Sequence, residues 1–351
     1  MYSTLKDPKH AHLGCNSVNS EWGVSDAAER LHRESLVWDM VWPLEPWCGN
    51  SWDKVAQFRA AGYNVLSLTL AGDNHNIGET TQRVAAARRE VLARDDECIL
   101  VESVDDISRA QIEGKLAIAF HFEGTRCFER NLDVIESFYQ LGVRHTLLAF
   151  NQSNSAGGGC AEKVDGGLTN FGRLLVAEME RVGMLLDLSH TGRRTAMDAL
   201  DIVTQPAVFT HSNADAVTPH FRNIEDEQAK ACAATGGLVG VSSSNEYLGV
   251  ETSNVDAIFR HIDYYVELLG PDHVGLGFDV VFDPVALSDW IRTRPDEWPG
   301  KDDPAWTGFT YALPQDAPKV TELMLQHGYD QDSIRKILGG NYMRVCSQVW
   351  K

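Results

Sequence analysis

Three observations on this sequence predict a (β/α)8 barrel, an α/β fold in which eight parallel strands alternate with helices. Eight short apolar runs recur along the chain, as expected for parallel strands that are buried on both faces. Helix-like stretches lie between these runs, and several begin near Thr or Ser and end at Gly, as helix caps require. Polar residues stand directly after four of the runs, at the strand ends where such barrels carry their active sites.

The predicted strands are the eight apolar runs, which cover residues 35–41, 65–70, 116–122, 143–150, 184–189, 207–210, 238–242 and 274–278. The clearest helix-like stretches between them are residues 82–96, 168–182, 191–200 and 255–270. Because eight strand–helix alternations fit a chain of 351 residues, we expect a single barrel domain over residues 1–351.

Two segments stand outside this alternation. Residues 1–30 are expected to form an N-terminal extension, and the pair His10 and His12 is interpreted as part of a tail that precedes the first strand. Residues 280–315, which are rich in Pro, Trp and Asp, are expected to form an insertion after the eighth strand. A long insertion at this end of a barrel can serve as a lid or a pocket wall. The alternative is a loop that simply extends over the surface, and the composition favours neither interpretation.

Composition narrows the class of function. A net charge of −19 argues against nucleic-acid binding, which needs a basic surface. The seven cysteines show no CxxC spacing, and reduced thiols are the simplest interpretation. No run approaches the roughly 20 apolar residues of a membrane span, and the first residues do not have the pattern of a signal peptide. We therefore expect a cytoplasmic protein that does not bind membranes, and the sequence leaves a homodimer open.

The four polar residues at strand ends are Glu123, His190, His211 and Asp279. Two neutral imidazoles and two carboxylates make a ligand set for a divalent metal such as zinc. A lone His at a strand end is more often structural, but His211 repeats one strand later the arrangement of His190. Neighbouring barrel strands let the two imidazoles share one ion, so the sequence predicts a metal-dependent enzyme.

The carboxylates have separate candidate roles. Glu123, which precedes a Gly, can ligate one metal or bridge two, and Asp279 is the best candidate for a general base. Either acid alone would more often be a helix N-cap or a salt-bridge partner. Asp187 lies in the strand before His190. It can orient a metal ligand by a hydrogen bond without binding the metal itself, or it can accept a hydrogen bond from the backbone.

Arg222 and Asn223 follow the sixth predicted strand and should overhang the site. An Arg at this place can hold a substrate carboxylate through two parallel hydrogen bonds. The competing interpretation is a surface Arg that pairs with Glu225 or Asp226, and the residues alone do not decide between the two.

The linked segments HFEG, LDLSH, THSN, HFRN and GLGFD resemble the membrane dipeptidase (renal dipeptidase) family, peptidase family M19, over residues 35 to 346. This family is a zinc-dependent (β/α)8 barrel that hydrolyses dipeptides, including those with a D-residue at the carboxyl end. The resemblance implies that Glu123 bridges two metals and that His190 and His211 hold the second. It also implies that Asp279 is the base and that Arg222 binds the substrate carboxylate.

The chain departs from the family's pattern at two places. The family's first strand carries a His-x-Asp pair that binds the first metal, and Val41 and Pro43 stand at those positions here. Phe150 stands where the family has a His or Tyr, and a Phe cannot donate a hydrogen bond to the scissile carbonyl. We therefore expect one Zn²⁺ ion rather than two.

Two nearby polar residues could in principle compensate. His121 should point into the barrel, because it lies two residues before Glu123 on the same strand. It is either a replacement ligand or a core histidine, and the lower layer of a barrel favours the core interpretation. Asn151 should point away from the site if the strand before it continues.

Three functions follow as hypotheses. The first is a metal-dependent hydrolase of dipeptide-like amide bonds, which acts on a small substrate with a free carboxylate and uses Asp279 to activate water. The second is a diverged relative with altered amide or carboxylate chemistry in specialised metabolism. The third is a non-catalytic binding protein on the same barrel.

Overall fold

The structure is a computed structural model that describes residues 20–45 and 48–351. The tail with His10 and His12 lies outside the described residues. None of the helices in the described ranges is both long and apolar enough to cross a lipid bilayer.

Every predicted apolar run overlaps a strand, and all pairs of these strands are parallel. The strands run in the spatial order β1-β2-β4-β5-β6-β7-β8-β9, which makes the nearly closed eight-stranded barrel that was predicted. The short β3 pairs with β4 outside this path and was not predicted, because three apolar residues give no periodic signal. The strands are β1 Trp38–Pro43, β2 Val65–Gly72, β3 Cys98–Leu100, β4 Leu116–Glu123, β5 Val143–Leu147, β6 Leu185–Asp187, β7 Val208–Phe209, β8 Leu238–Val241 and β9 Val274–Leu276.

Helices surround the barrel, and their ends follow the expected cap chemistry. Thr169 accepts a hydrogen bond from the Gly172 backbone N–H at the start of α6, and Gly183 ends that helix with a φ of 88°. The helices are α1 Asp26–Glu34, α2 Val55–Ala60, α3 Ile77–Leu92, α4 Val104–Glu113, α5 Asp133–Gln140, α6 Asn170–Val182, α7 Arg193–Leu200, α8 Asp226–Ala234, α9 Asn245–Leu248, α10 Val255–Leu269, α11 Pro284–Arg292, α12 Ala317–Gln326, α13 Gln331–Arg335 and α14 Asn341–Val349.

Side chains join the two strands at the ends of the sheet order, β1 and β9. The carboxylate of the fully buried Asp39 accepts hydrogen bonds from the backbone N–H groups of Phe278, at 3.0 Å, and Val41, at 3.3 Å. The Asn50 side-chain amide donates to the carbonyls of Pro43, at 2.7 Å, and Val280, at 2.8 Å. These contacts satisfy backbone groups that a sheet edge would leave unpaired, so they hold the barrel shut beside β1.

Residues 280–315 pack over the barrel end where the strands finish. This segment contains α11 and contributes Leu287, Trp298 and Phe309 to a buried hydrophobic cluster that also includes Tyr247 of α9. Glu246, next to Tyr247, accepts hydrogen bonds from the Lys301 ammonium and the Trp306 indole N–H. The segment is therefore attached to the barrel by both apolar packing and a buried ion pair.

Candidate metal centre

Three potential metal ligands converge at the carboxyl ends of neighbouring strands. Glu123 ends β4, His190 follows β6 and His211 follows β7, and one ligand atom of each lies within 4.8 Å of the others. The two Nε2 atoms of His190 and His211 are 3.0 Å apart, and His211 Nε2 is 3.8 Å from a carboxylate oxygen of Glu123. The structure thus brings together the three residues that the sequence singled out as ligands.

The tautomer of His190 is fixed by Asn151. His190 Nδ1 lies 2.7 Å from Oδ1 of Asn151, and an amide oxygen can only accept a hydrogen bond. Nδ1 therefore carries the proton, and the lone pair of Nε2 points toward His211 and Glu123.

The tautomer of His211 is fixed by a relay from Asp187. The Thr210 hydroxyl donates to the Asp187 carboxylate at 2.5 Å, so its oxygen accepts the proton of His211 Nδ1 at 2.7 Å. Asp187 also accepts the backbone N–H groups of Ser189 and Thr210. Asp187 combines the two roles that the sequence left open, because it binds backbone and also orients a ligand imidazole through Thr210.

Two lone pairs that face each other at 3.0 Å repel unless a positive charge lies near both. A shared proton is disfavoured, because burial lowers the pKa of both imidazoles well below the usual range, with a further contribution from the Arg222 charge. Two nitrogens that bind zinc tetrahedrally at 2.0–2.1 Å would be about 3.3 Å apart, close to the observed spacing. The donor set therefore fits a divalent metal ion.

The buried carboxyl of Glu123 also needs a nearby positive charge in order to stay ionised. Burial raises the pKa of its carboxyl well above the usual range, and the nearby Asp279 charge raises it further. A dication beside the carboxylate would offset both effects and favour the ionised form.

Left-handed backbone aims several of these side chains at the barrel mouth. His190, Asn151 and Asp279 have φ values of 60°, 52° and 58°, a region that residues other than Gly seldom adopt. The expectation that Asn151 points away from the site is wrong. It assumed a continuing strand, but β5 ends at Leu147, and Asn151 lies in a turn that directs its amide to His190.

Asp279 lies after β9 and lines the cavity above the three ligands. Burial raises the pKa of its carboxyl to about 7, although the Arg222 charge acts in the opposite direction. In the part of the chain that the structure describes, its carboxylate has no hydrogen-bond or ion-pair partner. It is therefore available to exchange a proton with a molecule bound in the cavity.

Arg222 is a buried cation rather than a surface residue, with 2% of its area exposed. Its guanidinium donates to the Ser212 hydroxyl at 3.0 Å and to the His211 carbonyl at 2.7 Å, while Nε has no partner among the described residues. The alternative pairing with Glu225 or Asp226 does not occur, because these acids pair with Arg193 and Lys230. In the described ranges, no carboxylate lies within ion-pair distance of Arg222.

The positions of the missing family ligands remain without a metal-binding group. Val41 is fully buried and Pro43 lines the cavity. His121 does not replace them, since its ring stacks on His145 at 4.2 Å and its Nε2 lies 2.8 Å from the Thr69 hydroxyl. Within the described residues, Glu123, His190 and His211 form the one group with metal-ligand spacing.

Phe150 contacts the candidate ligands through its ring face. Its ring stacks on His190 with centroids 4.1 Å apart, and Trp298 from the 280–315 segment packs edge-on against it at 5.8 Å. Phe150 is thus part of an aromatic wall beside the candidate metal site.

Comparisons with known proteins identify a family. The model of the membrane dipeptidase family (peptidase family M19) matches residues 24–290. An uncharacterized protein in the pqqA 5′ region of Klebsiella pneumoniae is 31% identical over 77% of this chain and 96% of its own length. An uncharacterized dipeptidase of Schizosaccharomyces pombe is 33% identical over 63% of this chain, and the match spans 55% of its own length.

A solved structure shares the whole architecture. The amidohydrolase from Pseudomonas aeruginosa superimposes with a TM-score of 0.84 at 29% identity, over 92% of this chain and 99% of that one.

The hydrogen bond from His190 to Asn151 gives a first testable prediction. Asn151→Gly removes the acceptor of His190 Nδ1 but tolerates the φ of 52°, so it should not add backbone strain. Loss of such an outer partner typically weakens metal binding about 10- to 100-fold, and we expect this for Zn²⁺ measured by competition with a chelator. Asn131→Gly, at an exposed position that lines neither cavity beside His190, is the control. Unchanged Zn²⁺ affinity in Asn151→Gly would contradict the tautomer assignment.

Proposed function

Because the chain belongs to the membrane dipeptidase family, peptidase family M19, we propose that it is a dipeptidase that works with one zinc ion held by Glu123, His190 and His211. Family membership supports metal-dependent hydrolysis of dipeptides. The choice of zinc, the single ion and the residue roles are our proposal. A cytoplasmic location and a homodimer stay predictions.

The observation that carries this proposal is the contact between Nε2 of His190 and Nε2 of His211. These two atoms lie 3.0 Å apart with their lone pairs facing each other, beside the Glu123 carboxylate. Each imidazole is held in the tautomer that a metal ligand needs. A non-catalytic scaffold would gain nothing from two buried lone pairs that repel each other, and this favours an enzyme over a binding protein.

A zinc ion at this place would supply a Lewis acid that polarises the scissile carbonyl and acidifies water. Asp279 accepts the proton of the attacking water on its free carboxylate and passes it to the leaving amine. Because this carboxylate has no partner among the described residues, it can take the proton and return it within the same turnover. Arg222 binds the substrate carboxylate with its unpaired charge, which orients the amide bond toward Asp279.

The site has Phe150 at the position where we expect a hydrogen-bond donor to the scissile carbonyl. Phe150 cannot donate a hydrogen bond to the developing oxyanion, and the loss of one such donor typically costs about 10²- to 10³-fold in rate. This observation favours a second candidate function, in which the same residues act on a different amide or carboxylate compound in specialised metabolism. Substrates with a more reactive amide than a dipeptide would need less help at the carbonyl.

Replacement of the base tests the assigned chemistry. Asp279→Asn should lower kcat for dipeptides by about 10²- to 10⁴-fold, because the proton acceptor is lost. Zn²⁺ affinity should change little, since Glu123, His190 and His211 remain. Asp289→Asn, on the exposed side of α11, is the matched control. Turnover near the wild-type rate in Asp279→Asn would exclude it as the base.

Arg222 gives a second test, on the substrate carboxylate. Arg222→Ala should reduce kcat/KM strongly for dipeptides with a free carboxyl end and much less for the corresponding amides or esters. A lost charged pair penalises only the charged ligand, so the ratio of the two losses is independent of general damage to the site. The measurement is kcat/KM for L,L and L,D dipeptides with free and blocked carboxyl ends. Equal losses on both sets would remove Arg222 from this role.

A further inference from the structure

Aromatic and aliphatic side chains enclose the space above the metal ligands. The cavity has a volume of about 160 Å³, and its floor includes Glu123, His190 and Asp279. Its apolar walls come from the loop after β5 and, for the larger part, from the 280–315 segment: Phe150, Leu287, Trp290, Ile291, Trp298 and Tyr311. The walls are packed into the buried cluster of the 280–315 segment, so they form a shaped pocket rather than a mobile surface.

Two cavities share His190 as a lining residue. One is the aromatic cavity, and the other is also lined by Cys160, Arg222 and Asn223. Arg222 lines only the second cavity. A dipeptide that places its carboxylate on Arg222 and its amide bond at the metal therefore directs its amino-side residue into the aromatic cavity.

Pro43 and Phe150 add further apolar surface to the wall of this cavity. Such a wall favours an apolar group, because a polar group placed there would lose its hydrogen bonds to water.

Trp290 adds an indole ring to the lining of the cavity. It lies on α11, and the guanidinium of Arg294 stacks on its ring at 3.7 Å from the centroid. This stacking restrains the indole. Aromatic rings favour offset or edge-to-face contact with other rings, and the cavity offers such partners on several sides.

We propose that this cavity selects dipeptide-like substrates whose residue on the amino side of the scissile bond carries an aromatic side chain. The inference rests on the proposed function, since it names the substrate class of the same site. It assigns to Phe150 and Trp290 the recognition of that side chain.

The test uses Zn²⁺-loaded protein and phosphinate mimics of two dipeptides, Phe-Ala and Gly-Ala, whose affinities are measured by isothermal titration calorimetry. Hydrolysis of the parent dipeptides is followed in parallel. The Phe-Ala mimic should bind at least about 10-fold more tightly than the Gly-Ala mimic, since burial of even one methylene gives 10- to 200-fold discrimination. Trp290→Ala should reduce that ratio to about 3-fold or less.

Val285→Ala is the matched control, because Val285 lies on the same helix with 69% of its area exposed and outside the cavity. It should leave the ratio unchanged, and Trp290→Phe should preserve most of it. Equal affinity for the two mimics in the wild type, together with hydrolysis of Gly-Ala, would overturn the inference and leave the dipeptidase function standing. An unchanged ratio in Trp290→Ala would also overturn it. Failure to bind either mimic or hydrolyse either dipeptide would reject the proposed function, and the inference with it.

Discussion

The site depends on one constraint, which is that two buried imidazoles are held with their lone pairs facing each other. Asn151 fixes one tautomer and the Asp187–Thr210 relay fixes the other. Neither ring can relieve the contact by moving its proton, because each Nδ1–H already has its acceptor. The two lone pairs repel each other unless a cation lies near both, and the surrounding hydrogen bonds hold the rings in the tautomers that such a cation needs.

The barrel shows how the candidate site can form without a ligand from the first strand. Asp39 of β1 accepts hydrogen bonds at the barrel seam, a structural role that needs no metal. Val41 and Pro43 are apolar residues that fit the interior and the cavity wall. The first strand thus has its place in the fold through packing and the seam. The ligands from β4, β6 and β7 are positioned by other contacts and do not depend on it.

Much of this arrangement could be predicted from the sequence, because strand ends in a parallel barrel converge. The placement of Glu123, His190 and His211 follows from that rule alone. The direction of Asn151 could not be predicted, since it depends on where β5 stops and on a left-handed turn. The environment of Arg222 could not be predicted from the sequence either. Its neighbours Glu225 and Asp226 were plausible ion-pair partners, but in the fold Glu225 pairs with Arg193 and Asp226 pairs with Lys230. Short elements such as β3 carry too few residues for a periodic pattern.

The most direct measurement of the central claim is the number and position of bound metal ions. The protein should be saturated with Zn²⁺, dialysed and analysed for metal content, and its crystals should be measured at the zinc absorption edge. The account predicts one equivalent per chain and one anomalous peak between His190, His211 and Glu123. Two equivalents with two peaks at this site, or no peak between the two imidazoles, would contradict it.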